Sequence, residues 1–237
     1  MLFFYIRHGD PIYTPDSLTP LGHRQAEAVA KRLALYGIDR IYASTSTRAQ
    51  LTAQPTCEIT KREMILADFA NEHHAWAELT FEASIGRRWL FQAPEIRQLF
   101  VKPELLALGQ KWYTHPLLAP YHYEKGIARI QSETDKFFAD LGYEHIPGTG
   151  AYRVTKTNDE RIAMFAHQGF GLTFLSCLLD IPYPQLTVHF DFCHTGMTVI
   201  DFREEDGIAI PRILTLSSDS HLYKEGLPTF YNHEMRF

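Results

Sequence analysis

The sequence predicts an α/β fold: a three-layer sandwich with a mostly parallel sheet between helices, carrying a helical cap insertion. Three observations predict it. Segments at residues 2–6, 38–44 and 162–166, the first and third of them continuously apolar, each have the length of one strand and stop abruptly in polar or glycine-bearing turns. Helical periods stand between and after these runs, so strand and helix alternate as they do in parallel βαβ units. Residues able to do chemistry follow the runs directly, at the strand ends where an open α/β sheet forms its ligand crevice.

Taken in order, residues 2–9 read Leu-Phe-Phe-Tyr-Ile-Arg-His-Gly, a strand ending in a cation, an imidazole and a glycine. A loop punctuated by Pro11 and Pro15 follows. Thr19 and Pro20 read as the cap and first position of a helix that Gly37 stops, with Ala26, Val29, Ala30 and Leu33 on one face. Residues 38–44 form the second strand. Ser46 or Thr47 caps the next helix, which holds Arg48 and Leu51, and Pro55 is expected to kink or shorten it. A third short strand at residues 64–67 leads into Asn71-Glu72-His73-His74-Ala75-Trp76-Ala77-Glu78.

From about residue 81 to 158 the pattern changes to an insertion rich in helix formers and aromatics, set within a single domain spanning residues 1–237. Ile127, Ile130, Thr134, Phe137, Phe138 and Leu141 keep a helical period that Gly142 ends. Residues 162–166 return to the sheet, and an apolar helix at 171–179 closes before Pro182. Residues 195–202 and 208–216 read as two strands joined by Glu204-Glu205-Asp206-Gly207, an antiparallel hairpin at one edge. The aromatic tail after Ser217 is expected to pack as irregular structure.

Composition bounds the partners. A chain of 237 residues, 45% hydrophobic, can build a full core. Its net charge of -5 and lack of any Lys/Arg run argue against a nucleic-acid or anionic-membrane surface. Cys57, Cys177 and Cys193 are too few and too scattered for a disulfide framework or a paired zinc site, which points to a reducing compartment, the cytoplasm. The apolar run at the N-terminus stops at Arg7, unlike a signal peptide, and the longest later stretch, residues 170–181, is too short for a bilayer of roughly 30 Å.

Arg7-His8-Gly9 directly after an N-terminal strand resembles the signature of the histidine phosphatase superfamily (phosphoglycerate mutase-like, branch 1). Two further segments resemble it in the family's order. Arg48, in the first turn of the helix after the second strand, is similar to the second phosphate-binding arginine, and His167, in the strand-terminal His167-Gln168-Gly169, to the second histidine. The resemblance implies a phosphoglycerate mutase-like fold whose insertion covers the catalytic pocket, and a proton-donating carboxylate in the segment after the third strand, assigned to Glu72 with Glu78 as rival. The aromatics Trp89, Trp112, Tyr113, Tyr121 and Tyr123 in that insertion are candidates for a pocket wall, although such residues more often fill cores.

The chemistry implied is hydrolysis of small-molecule phosphate monoesters through a phosphohistidine. A neutral imidazole is a competent nucleophile near pH 7, because its unperturbed pKa is about 6.5. His8 would attack phosphorus, Arg7 and Arg48 would fork onto equatorial oxygens, and His167 would donate a further contact. Gly9 and Gly169 permit close backbone approach, and helix starts near Thr47 and Gly169 aim N–H groups at the anion. With two arginines and a histidine neutralising the phosphate, neither a metal nor another cofactor is expected.

Two alternatives stay open. In the mutase branch the loop after the glycine usually carries Ser or Thr and then Asn, where this chain has Asp10 and Pro11, a departure that weakens a phosphoglycerate mutase-type phosphotransferase. A catalytically silent phospholigand-binding module is the other. His73-His74 and His189/His194 lack metal-ligand spacing, and Gln168-Gly169-Phe170-Gly171 lacks the third glycine of a dinucleotide fingerprint. Arg87-Arg88 reads as a charge pair on a solvated helix, with a second anionic group of a substrate as its other reading.

Overall fold

The computed structural model describes residues 1–233. Its first half runs β1 (Leu2–Arg7), β2 (Pro11–Tyr13), β3 (Asp16–Leu18), α1 (Pro20–Tyr36), β4 (Arg40–Ala43), α2 (Thr47–Thr60), β5 (Met64–Leu66), α3 (Glu72–Glu78), β6 (Thr80–Ala83), β7 (Gly86–Trp89), α4 (Pro94–Phe100) and α5 (Pro103–Leu106). The second half runs α6 (Glu124–Asp140), β8 (Tyr143–Ile146), β9 (Ala151–Val154), β10 (Arg161–Ala166), α7 (Gln168–Leu179), α8 (Tyr183–Thr187), β11 (Met197–Asp201), β12 (Glu204–Glu205), β13 (Ile208–Ala209), β14 (Arg212–Ser218) and α9 (Ser220–Lys224).

Six strands form the central sheet in the order β14-β11-β1-β10-β4-β5. β1, β10, β4 and β5 are mutually parallel, and β11 and β14 add an antiparallel edge. The mostly parallel α/β sandwich read from the sequence is the observed fold. β1 is apolar at successive positions because both of its faces are covered. Phe3 and Tyr5 point into a cluster with Phe137, Phe138, Phe170 and Phe174 of α6 and α7. Phe4 and Ile6 point the other way, into a cluster with Val29 and Leu33 of α1 and Ala53 of α2.

Local signals set the helix ends. The Thr19 hydroxyl accepts from the Gly22 N–H at 3.0 Å, Pro20 opens α1, and Gly37 closes it at φ 71°. Ser46 caps α2. Pro55 neither ends nor shortens α2, which continues to Thr60, leaving the Leu51 carbonyl without its i+4 donor. The predicted strand at 208–216 is split into β13 and β14 around Pro211, which has no N–H for a ladder, and β12 and β13 join β9 and β8 in a separate four-stranded sheet. The tail after Ser217 holds a short helix, α9, and its residues 234–237 lie outside the described residues.

The segment 81–158 differs from a wholly helical cap. It carries the β6–β7 hairpin and strands β8 and β9, and its longest helix, α6, buries Phe138 against Phe3, Phe174 and Phe202 rather than covering a ligand crevice. Arg87 and Arg88 lie on β7, a strand, not on a helix. Trp112 and Tyr123 are core residues, only 1% and 2% exposed. No helix among the described residues is long and apolar enough to cross a membrane.

Candidate active site

Four segments converge at the carboxyl ends of the parallel strands. β1 delivers Arg7 and His8, the turn after β4 delivers Ser44 and Ser46 with Arg48 in the first turn of α2, β10 delivers His167, and α3 delivers Glu72. Arg7, His8 and His167 are essentially inaccessible. The rings of His8 and His167 stand 5.2 Å apart between centroids. Arg48 Nη2 lies 3.1 Å from His167 Nδ1 and 3.3 Å from Glu72 Oε2, so the two arginines, two histidines and Glu72 singled out in the sequence share one site. Glu78, the rival carboxylate, is instead held by Arg129 at 2.7 Å.

Short-range contacts fix each group. The Gly9 N–H donates to Thr52 Oγ1 at 3.0 Å, tying the end of β1 to α2, and a Cβ on Gly9 would meet the Gly22 carbonyl oxygen at 2.7 Å. The Tyr5 hydroxyl donates to the His167 carbonyl at 2.6 Å and accepts from the His167 N–H at 3.1 Å, which fixes the start of α7 on β1. Asn71 caps α3 by accepting from the His73 N–H and donates to Thr45 Oγ1, placing Glu72 in the first turn above the site. Glu72 Oε1 then accepts the Gly169 N–H at 2.9 Å, so this amide, read as a phosphate donor, is engaged by the carboxylate.

The ring orientations carry chemical content. His8 Nδ1 lies 2.7 Å from the Gly9 carbonyl, which can only accept, so Nδ1 bears the proton and a neutral ring leaves its Nε2 lone pair unprotonated. Burial, then Arg7, His167 and Arg48, push the His8 pKa well below its usual value. Burial, then Arg48 and Arg7, do the same to His167. His167 Nδ1 faces a guanidinium and so accepts, and its Nε2–H is spent on Ser44 Oγ at 2.8 Å. In this arrangement His167 holds Arg48 rather than offering the free donor expected from the sequence.

Three residues join the site that the sequence reading did not select. Asp16 on β3 accepts from Arg48 Nη1 and from the Thr47 N–H, at 2.8 and 2.7 Å, occupying the first turn of α2 with a carboxylate. The Arg48 guanidinium also sits 5.5 Å from the ring centroid of Tyr13. Asn232 accepts from Arg7 Nη2 and donates to Gln168 Oε1. No local pattern marks them, since each depends on a long-range approach. Among the described residues, the buried Nε atoms of Arg7 and Arg48 have no hydrogen-bond partner. A cavity of about 820 Å³ opens over this group, walled by Tyr13, Trp76, Trp89 and Arg88.

Ligand atoms of His8, Glu72 and His167 come within 4.8 Å of one another, a donor set that suits a metal in type. The Arg48 guanidinium already bridges two of them, so a cation stands where a metal would have to bind.

The model of the histidine phosphatase superfamily (branch 1) matches residues 4–98. No curated protein sequence matches the chain significantly. A phosphoserine phosphatase from Entamoeba histolytica, solved with 3-phosphoglyceric acid, is similar in structure at a TM-score of 0.60 and 20% identity, over 93% of this chain and 98% of that one. A mycobacterial glucosyl-3-phosphoglycerate phosphatase is similar at a TM-score of 0.58 and 19% identity, over 92% of this chain and 98% of that one. At these identities the likeness is one of fold.

Proposed function

We propose that this chain is a histidine phosphatase of branch 1, the family whose model matches residues 4–98, and that it hydrolyses phosphate monoesters through a phosphohistidine on His8 without a metal. The observation that carries the reading is a buried arginine, Arg7, and a partly buried one, Arg48, each with a buried Nε that has no partner among the described residues, beside a histidine whose Nε2 is the free nitrogen of a neutral ring. That is an arrangement for holding a dianion against a nucleophile. A unit charge pair at 4 Å is worth roughly 4 kcal/mol at an effective dielectric of 20, and several such pairs act on one phosphoryl group.

In the proposed cycle the phosphoryl group displaces Asp16 and Glu72 as the partner of Arg48. His8 Nε2 attacks phosphorus in line, the N–P bond forms and the ester P–O bond breaks, and Glu72, which takes up a proton from solvent as the phosphoryl group replaces it on Arg48, gives that proton to the leaving oxygen. Glu72 then takes a proton from water, whose oxygen attacks the phosphohistidine and releases inorganic phosphate. The incoming dianion favours a proton on His167, which turns its Nδ1 from acceptor to donor once Arg48 has moved to the phosphate. Residues 1–237 act as one catalytic domain, in which α3 and the β6–β7 hairpin, rather than the whole of 81–158, cover the substrate. Three free cysteines suit a reducing, cytoplasmic setting.

The test is phosphate release from p-nitrophenyl phosphate in EDTA. Wild-type protein is expected to turn over, and His8→Ala to lose about a thousandfold or more. Full activity in His8→Ala would remove the phosphohistidine.

A further inference from the structure

Residues 192–196, the turn that leads into β11, meet Arg7 and His8 through contacts that the proposed cycle does not use. The Phe192 carbonyl accepts from Arg7 Nη1, and the Gly196 carbonyl accepts from the Arg7 N–H at 3.3 Å. The Thr195 N–H donates to the His8 carbonyl at 3.2 Å, and the His194 ring stacks on the His8 ring at 6.1 Å between centroids. Thr195 is fully buried and stands at φ 55°, in the left-handed region that a β-branched residue rarely enters. Its hydroxyl is engaged on two sides. The hydroxyl donates its one proton to the His194 carbonyl at 2.7 Å, so His221 Nε2, 3.0 Å away, must donate to it. His221 belongs to α9, where its neighbour Leu222 packs against Ala28 of α1 and so fixes the imidazole behind the turn. From β14, Ser217 Oγ accepts the Cys193 N–H at 2.8 Å and anchors the start of the same turn.

We infer that Thr195 is a positioning residue for His8: latched by His221, it keeps a strained backbone conformation in which its N–H holds the His8 carbonyl, and so fixes where the His8 ring stands against the phosphoryl group. The inference rests on the phosphohistidine reading above and adds a residue to that same site. A strained φ persists only where the surroundings over-determine it, and here two hydrogen bonds to one hydroxyl do so. The bond they secure lies on the main chain of the attacking residue, where a displacement of about 1 Å can cost on the order of a hundredfold in rate. The bonds of Thr195 go to His8, His194 and His221 rather than to either arginine, so loss of the latch acts on attack more than on phosphate binding.

The test is steady-state hydrolysis of p-nitrophenyl phosphate in EDTA by variants at Thr195, with the inhibition constant of inorganic phosphate as the measure of anion binding. Thr195→Val keeps the shape of threonine but lacks the hydroxyl and resists positive φ, whereas Thr195→Gly lacks the whole side chain yet adopts φ 55° freely. The kcat of Thr195→Gly is therefore expected to exceed that of Thr195→Val, which falls about ten- to a hundredfold below wild type, while phosphate inhibition stays within about twofold in both. Thr195→Ser, which keeps the hydroxyl, is expected to recover most of the loss. If Thr195→Val does not fold, Thr195→Ala takes its place in the same comparison. His221→Leu is expected to lower kcat too, and to add little to the loss in Thr195→Val or Thr195→Ala, because each removes the same latch. A kcat in Thr195→Val, or its replacement, equal to or above that of Thr195→Gly would overturn the positioning role and leave one of packing. Phosphate inhibition that weakens in step with kcat would do the same. Either outcome, with turnover still lost in His8→Ala, defeats the role of Thr195 alone; full activity in His8→Ala defeats the phosphohistidine and this inference with it.

Discussion

His8 and His167 show how burial and charge cooperate at single residues. A nucleophilic imidazole must be neutral, and desolvation together with the Arg7 guanidinium holds His8 neutral well into acid. The acid limb of kcat/KM is therefore expected below pH 6.5, the ordinary imidazole value, and a limb centred at or above it in a pH–rate profile would contradict this account. Asp16 makes a different kind of contribution. Its carboxylate accepts from Arg48 and from the Thr47 N–H, the donors that a phosphate would claim. Asp16→Asn removes this internal competitor, and inorganic phosphate is expected to inhibit the variant about three- to tenfold more strongly. Weaker inhibition by phosphate would instead make Asp16 a group that positions Arg48.

At the scale of elements, close approaches decide what the site tolerates. A Cβ on Gly169, at the start of α7, would lie 2.4 Å from Trp89 Cζ2 on the β6–β7 hairpin. Gly169→Ala must push that indole into the pocket or away from Trp76, against which it packs edge-on at 5.1 Å. Activity is expected to fall about a hundredfold and stability by about 1–3 kcal/mol, while far-UV circular dichroism stays near wild type. α6 answers to packing rather than to chemistry. Phe138 is fully buried among Phe3, Phe174 and Phe202, so Phe138→Ala is expected to cost about 3–5 kcal/mol in urea unfolding. The period of Ile130, Thr134, Phe137 and Phe138 announces this helix in the sequence. Periodicity tells that a face is buried but not against what, which is why the helix reads equally well as part of a cap.

The whole molecule carries the consequence of its buried histidines in its acid stability. His8 and His167 are held well below the ordinary imidazole range, and burial brings His194 to about 3 and His221 to about 4. Below pH 6.5 the unfolded chain takes up protons on these rings that the folded chain refuses, so stability is complete above pH 6.5 and declines as pH falls. The decline continues to about 4 for His221 and about 3 for His194, at about 1.4 kcal/mol per pH unit for each ring. The urea midpoint is expected to drop steadily from pH 7 to pH 5, and a flat profile across that range would show that these rings are not held neutral by the fold.

The strand ends and helix starts were legible in the residues themselves. An apolar run stopped by Arg7-His8-Gly9, a Thr19-Pro20 cap and a His167 that closes another apolar run are short-range signals, and short-range physics sets where strands stop and helices begin. Tertiary structure alone decided what those groups meet. Asp16 and Glu72 both reach Arg48, Glu78 goes to Arg129, and Asn232 comes back across 225 positions to Arg7. The reason is physical: hydrogen bonding, desolvation and charge pairing depend on atoms a few ångströms away in space, and most of those atoms are contributed by segments far away along the chain.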